Sequence, residues 1–117
     1  MTQVYITQCG SFTATHGHGG TLAEESHVHT FKYEITFYGP LNAEGYLIDF
    51  RELHNVLDKY VSAPLNGTDL NTRLRNPTTE ELAIWIFNTV RKHFPQIYSV
   101  KLAEEPDRWV VYKGGGY

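Results

Sequence analysis

The sequence predicts an α+β protein with the element order ββααββ, in which two helices cover one face of an antiparallel sheet. Two long stretches of alternating apolar residues open the chain, two stretches with helical spacing follow, and two short alternating stretches close it. The 117 residues and their ordinary apolar and charged fractions suit a globular protein. We therefore expect one domain, spanning residues 1–117.

Alternation with a period of two predicts the first two strands. In the first, one parity collects Val4, Ile6, Phe12, Ala14 and His16. In the second, the residues of one face are His27, His29, Phe31, Tyr33, Ile35 and Phe37. The glycine-rich and polar segment 17–26 predicts a loop between them, and Gly39-Pro40 is expected to end the second strand.

Capping residues and apolar spacing predict two helices. Asp49 can cap the first, with Glu52 at the acidic position of a capping box. Its apolar stripe is Leu53, Val56, Leu57, Tyr60 and Val61. The stretch from Ala63 to Pro77 is interpreted as a loop. Thr78 and Glu81 form a second capping box, and the stripe of the second helix is Leu82, Ile86 and Val90.

Two short strands are predicted at the end of the chain. Tyr98, Val100, Leu102 and Glu104 share a parity, which points the Glu104 side chain inward. Pro106-Asp107 is expected to form the turn into a strand from Trp109 to Tyr112.

Charge and composition exclude some partners. The net charge of −3 provides no basic field for nucleic acid or an anionic membrane. No apolar run is long enough to span a bilayer, and no signal-peptide pattern occurs, so we expect a cytoplasmic protein. Because Cys9 is the only cysteine, an intrachain disulfide is excluded.

Four of the six histidines fall between positions 16 and 29. His27 and His29 share one strand face, and His16 ends the neighbouring strand on its apolar parity, so the three rings can converge in a hairpin. Three imidazoles at about 2.0–2.1 Å with an open fourth position form the usual catalytic zinc site. The alternative is that they are polar residues at a loop edge. His18 is either a fourth ligand or a solvated loop residue, and we favour the latter.

Five segments in order resemble the 6-pyruvoyltetrahydropterin synthase and 6-carboxytetrahydropterin synthase family over nearly the whole chain. The first is Phe-Thr-Ala-Thr-His, which ends at His16, and the second is His27-Val28-His29-Thr30-Phe31. The others are Gly45-Tyr46-Leu47-Ile48-Asp49-Phe50, Asn76-Pro77-Thr78-Thr79-Glu80, and Glu104 followed by Val110-Val111-Tyr112-Lys113-Gly114.

The resemblance implies a tunnelling fold (T-fold), whose subunits join their sheets into a barrel and stack as a hexamer, a dimer of trimers. It implies Zn²⁺ on His16, His27 and His29, and a pterin pocket between subunits anchored by Glu104 with Thr78 and Thr79. An ionised carboxylate can accept two parallel N–H bonds from the pterin edge. The alternatives are a salt-bridged strand-end acid for Glu104 and a helix cap for Thr78.

The chain departs from the family at its catalytic residues. No cysteine lies shortly before His27, and Cys9, on the opposite parity from His16, is interpreted as a small buried apolar residue. Glu24 matches a glutamate of some family members and is either the general base or a solvated loop acid. Asn66 and Gly67 replace an Asp-His pair, and neither Asp69 nor Glu25 is assigned a role.

These residues leave two functions open. The first is a zinc-dependent lyase acting on the side chain of a reduced pterin such as 7,8-dihydroneopterin triphosphate, in tetrahydropterin, folate or deazapurine biosynthesis. The alternative is a homologue that binds a pterin-like or purine-like ligand without the usual synthase activity. A purely structural role is disfavoured, because assembly alone does not require three histidines and an inward acid.

Overall fold

The fold is taken from a computed structural model, which describes residues 2–17 and 27–115. Its four strands are β1 (Gln3–His16), β2 (His27–Pro40), β3 (Ile97–Glu105) and β4 (Arg108–Tyr112). They form one antiparallel sheet in the order β1-β2-β3-β4. The helices are α1 (Phe50–Leu57), α2 (Ala63–Leu65) and α3 (Thr79–Arg91). The expected α+β architecture is confirmed.

The core lies between the sheet and the helices. The buried side chains of the sheet include Phe12, Phe31, Ile35, Val100 and Leu102, and those of α1 and α3 include Leu53, Leu82, Ile86 and Val90. Burying an apolar side chain of this size contributes about 1.5–3 kcal/mol. This packing fixes which face of β1 and β2 points inward, and therefore where His16, His27 and His29 point.

The first helical segment is longer than the sequence predicts. The Asp49 carboxylate accepts a hydrogen bond from the Arg51 backbone N–H at 2.8 Å, as expected of a cap. After α1, a π-helical turn (Asp58–Ser62) leads directly into α2. The prediction of a loop from Ala63 is therefore wrong: the buried Leu65 continues the series of Leu57 and Val61 at intervals of four.

The π turn is joined to the sheet by a tyrosine. The Tyr33 hydroxyl hydrogen-bonds to the Ser62 hydroxyl at 2.7 Å, and burial raises the pKa of Tyr33. The side chain crosses β1 at Gly10, where a Cβ would collide with the tyrosine ring. Glycine is thus required at this position for a close approach.

Two bulges change the facing of β3. At the first bulge, Thr36 pairs with Ser99 and Phe37 with Ile97, so Tyr98 has no partner in β2. Ile97 is therefore buried and Tyr98 is exposed. The predicted inward parity is therefore wrong for Tyr98. The second lies between Ala103 and Glu105. Bulges re-aim side chains, often beside functional sites, and here the extra residue is Glu104.

A segment after α2 covers part of β1. The Thr13 backbone N–H donates to Asn66 Oδ1 at 2.9 Å, and its carbonyl accepts from the Gly67 N–H at 2.6 Å. The Thr15 N–H donates to the Thr68 carbonyl at 2.9 Å. The C-terminal half of this edge strand is thus paired along its outer side. Within the described ranges, no helix is long and apolar enough to cross a membrane.

Candidate metal centre

The three histidines converge at one end of the β1–β2 hairpin. His16 and His27 are direct partners in the ladder, and His29 is the partner of Ala14 on the same face. The centres of the His27 and His29 rings are 4.2 Å apart, and that of His16 lies 4.6 Å from His27 and 5.5 Å from His29. His16 is buried, whereas the other two are partly exposed.

A carboxylate oxygen from β3 meets all three rings. Glu104 Oε1 lies 3.1 Å from His16 Nε2, 3.4 Å from His27 Nε2 and 2.9 Å from His29 Nε2. The bulge at Glu104 and its inward parity bring this side chain from β3 to the end of the hairpin. The sequence predicted an inward Glu104 but not its contact with the histidines.

The other nitrogen of His16 fixes the role of Nε2. His16 Nδ1 lies 2.8 Å from the Pro77 carbonyl, which can only accept, so Nδ1 carries the proton. Nε2 then either carries the second proton of a charged ring and donates to Glu104, or presents the lone pair of a neutral ring, which can bind a cation. His29 is similar, since its Nδ1 lies 3.4 Å from Glu105 Oε1 while its Nε2 faces Glu104. Such carbonyl and carboxylate partners orient metal-binding histidines in many proteins.

The donor set fits a cation. One ligand atom from each of His16, His27, His29 and Glu104 can be chosen so that all lie within 4.8 Å of one another. Lone pairs of imidazole and carboxylate repel at this spacing unless a proton or a metal ion lies among them. Imidazole and carboxylate are ligands of Zn²⁺, and three histidines are a known catalytic set.

Glu104 is held in its charged form. Burial alone would raise its pKa, but hydrogen bonds from Thr79, His27 and His16 outweigh burial and hold the pKa of Glu104 below its usual range. At neutral pH it is therefore a carboxylate, which can only accept hydrogen bonds or bind a cation.

The start of α3 contacts this group in two ways. The Thr79 hydroxyl donates to Glu104 Oε2 at 3.0 Å, whereas the Thr78 hydroxyl accepts from the Glu81 N–H at 3.1 Å and caps the helix. Pro77 supplies the carbonyl that orients His16. Of the two threonines named from the sequence, Thr79 contacts the site and Thr78 has the capping role of the alternative.

Several sequence predictions concern residues outside the histidine group. Glu24, Glu25 and His18 lie outside the described residues. Cys9 is on the opposite parity from His16, as expected, but it is exposed, so its interpretation as a buried residue is wrong. Among the residues that the structure describes, the helices cover the inner face of β1 and leave the Cys9 side exposed.

The residues that replace the family's Asp-His pair have structural roles. Asn66 binds β1 through its side-chain oxygen, and Gly67 has φ of +74°, a conformation that favours glycine. Asp69 caps a short 3₁₀ turn by accepting from the Asn71 N–H at 3.0 Å. None of these three has a hydrogen bond to His16, His27 or His29 among the contacts of the described chain.

Sequence reasoning missed two supporting groups. Asn71 brackets the residue after His16: its side chain accepts from the Gly17 N–H at 3.2 Å and donates to the Gly17 carbonyl at 2.9 Å. Glu105 lies against His29. An asparagine after a short turn and an acid next to Glu104 are common in sequences, so no local pattern marks either one.

Two clefts meet at the group. One, of about 500 Å³, is lined by His27, Val28, His29, Glu104, Glu105 and Arg108. The other, of about 460 Å³, lies along the outer face of the sheet and shares Val28, His29, Glu104 and Glu105 with the first. Either volume suits a small molecule. A ligand in the first cleft would lie beside both the histidines and a cationic side chain, Arg108.

Comparison with known proteins adds relatives to this geometry. The family model described as 6-pyruvoyl tetrahydropterin synthase matches residues 5–115. A dihydroneopterin monophosphate aldolase of Pyrococcus furiosus is 40% identical over 85 residues, which are 73% of this chain and 73% of that protein.

Solved structures give the same fold. The 6-pyruvoyl tetrahydropterin synthase of Caenorhabditis elegans superposes with a TM-score of 0.86 at 18% identity, covering 98% of each chain. A Plasmodium vivax 6-pyruvoyltetrahydropterin synthase, in a variant whose catalytic glutamate is replaced by cysteine, superposes with a TM-score of 0.81 at 16% identity, covering 96% of this chain and 98% of that one. From its match over residues 5–115 and its 40% identical relative, the chain belongs to the 6-pyruvoyl tetrahydropterin synthase family.

Proposed function

We propose that this protein is a zinc-dependent lyase that acts on the side chain of a phosphorylated reduced pterin. The observation that carries the proposal is the meeting of His16, His27 and His29 through their Nε2 atoms at a carboxylate, beside a cleft of about 500 Å³. Family membership supports the pterin as ligand class. When bound, Zn²⁺ would supply a Lewis acid that polarises the oxygens of the pterin side chain.

Two side-chain reactions are chemically open, and the relatives favour one. The 40% identical relative is named an aldolase, which supports cleavage between the first and second side-chain carbons. In that reaction the hydroxyl of the second carbon loses a proton, the carbon–carbon bond breaks, and its electron pair passes into the ring system before the first carbon is protonated. The products are a hydroxymethyl pterin and a two-carbon aldehyde that keeps the phosphate. The other reaction is loss of triphosphate.

Glu24 is the proposed base. Neither the family cysteine nor its Asp-His pair is present, and Asn66 and Gly67 are occupied in structural contacts. A related fold from Plasmodium vivax is described as having a catalytic glutamate, which supports a carboxylate in this role. Glu24 precedes His27, a residue that lines the cleft, by three positions in the sequence.

The test is product analysis. Zinc-loaded protein is incubated separately with 7,8-dihydroneopterin, its monophosphate and its triphosphate, and products are identified by mass spectrometry. We expect a hydroxymethyl pterin from a phosphorylated substrate. If no reduced pterin is converted but one binds, the protein is a pterin-binding homologue without lyase activity; if none binds, the proposal is wrong.

The base is tested by a matched pair of variants. Glu24→Gln should lower the single-turnover rate about 10²–10⁴-fold, because glutamine cannot accept the proton. Zinc content and pterin affinity should be retained. Glu25→Gln makes the same change of charge one residue later and should retain most of the rate. Equal rates for Glu24→Gln and the unmodified protein would place the base elsewhere.

A further inference from the structure

The Glu104 carboxylate cannot contact the histidine group and anchor a pterin edge at the same time. Its Oε1 points into the three histidine nitrogens at 2.9–3.4 Å, while its Oε2 accepts from the Thr79 hydroxyl at 3.0 Å. Anchoring a pterin through two parallel N–H bonds needs both oxygens on the ligand edge. In the observed position, Oε1 is directed at the histidines instead.

The surroundings of Glu104 allow it to exchange between these partners. It is the extra residue of a β-bulge, so its backbone is not locked into a continuous ladder with β4. Its side chain is 25% exposed and lines both clefts at the site, in contrast to the buried ring of His16. A carboxylate is also a normal fourth ligand for zinc beside imidazoles.

We infer that Glu104 is an exchangeable metal ligand: without a pterin it occupies the fourth position on the metal, and a bound pterin draws it away and opens that position. This inference rests on the proposed function, because the pterin supplies the competing N–H groups. The consequence is a coupling between sites. Ligand binding at the pterin edge favours binding of an oxygen ligand at the metal, and by linkage the reverse holds to the same degree.

Thiocyanate binding to cobalt-substituted protein tests whether Glu104 occupies the fourth position on the metal. Thiocyanate binds an open metal position and changes the visible absorption of Co²⁺. In the unmodified protein it must displace Glu104, so we expect its affinity to be about 10–100-fold higher in Glu104→Gln, the usual size of effect for the partners of a metal site. Glu80→Gln, at an exposed position in the first turn of α3, is the matched control and should behave like the unmodified protein.

Glu104→Asp separates ligation from charge. Aspartate keeps the negative charge but is shorter by one methylene, so it should bind thiocyanate like Glu104→Gln if ligation matters. If it instead behaves like the unmodified protein, the charge of Glu104 acts through space and the inference is wrong. It also serves as a second variant should Glu104→Gln fold poorly, with circular dichroism as the check.

Unsubstituted pterin tests whether a bound pterin draws Glu104 away from the metal. It carries the edge that Glu104 would bind but no side-chain oxygens to occupy the metal. We expect it to raise the thiocyanate affinity of the unmodified protein and to leave that of Glu104→Gln unchanged. Binding of pterin, followed by its fluorescence, without any change in thiocyanate affinity would overturn the exchange. Absence of pterin binding would contradict the proposed function, while the comparison of variants would still decide whether Glu104 is a ligand.

Discussion

The two halves of β1 differ in what lies along their outer edge. The C-terminal half, which carries His16, is bonded through Thr13 and Thr15 to the segment after α2. The N-terminal half, residues 3–11, lies at the edge of the four-stranded sheet. The half of β1 that carries His16 is thus held by hydrogen bonds within the chain, while the other half has an open edge that can pair with a strand of another subunit. One strand can therefore serve both a site and an assembly.

The largest expected effect is on assembly. The outward N–H groups of Thr13 and Thr15 show that odd residues of β1 face the edge, and the register with β2 is unbroken. Thr7→Pro therefore removes an edge-facing N–H and keeps the backbone hydrogen bonds to β2, although it also removes the side-chain hydrogen bond from Thr7 to Thr36. If subunits pair on this edge, as the hexamer implied by the family resemblance requires, the variant should lose its assembly while keeping its fold.

Light scattering and circular dichroism measure the two outcomes. Gln8→Pro is the control, because its N–H faces β2 and its loss should unfold the chain. A monomeric unmodified protein at micromolar concentration would contradict this hexamer, and an intact assembly of Thr7→Pro would show that the N-terminal half is not the interface.

The next largest effect is on the stability of the C-terminal half of β1, which carries His16. Asn71→Ala leaves the N–H and carbonyl of the buried Gly17 without their side-chain partner, which should cost about 1–3 kcal/mol of unfolding free energy. Gln8→Ala removes an amide from the other half, whose side-chain hydrogen bond among the described residues is to the neighbouring Cys9 carbonyl, and should cost under about 0.5 kcal/mol. Urea denaturation compares them, and equal losses would contradict the difference between the halves.

A smaller effect is expected where the chain departs from its family. Gly67→His should cost about 1–2 kcal/mol, because a side chain at φ +74° is strained even though the space around it is open. Asn66→Asp should be nearly neutral, since a carboxylate oxygen can still accept from the Thr13 N–H. Thermal unfolding of the two variants gives the comparison, and a neutral Gly67→His would show that the turn adapts.

The sequence predicted those features that depend on local periodicity. Period-two alternation placed His16, His27 and His29 on one inward face, and the caps at Asp49 and Thr78 were predicted correctly. The prediction that Tyr98 points inward was wrong, because a bulge depends on how two strands pair and cannot be read from the alternation of one strand. The exposure of Cys9 depends on what covers the outer face of the sheet, which alternation does not specify.

The site was predictable in its ligands and not in its supporting contacts. A His-x-His pair and an inward acid are visible in the sequence. The Pro77 carbonyl and the Asn71 amide reach the site only because the fold brings distant parts of the chain together. The interval of four from Val61 to Leu65 could have indicated a continuing helix, but Pro64 between them favours a loop in local reasoning.

The central claim is that His16, His27 and His29 hold a metal ion, and metal content per chain tests it most directly. Protein purified without chelators should contain one zinc ion per chain, and His27→Ala should have lost it. His54→Ala, which removes an exposed histidine of α1, should retain it. Stoichiometric zinc in His27→Ala, or none in the unmodified protein, would contradict the account.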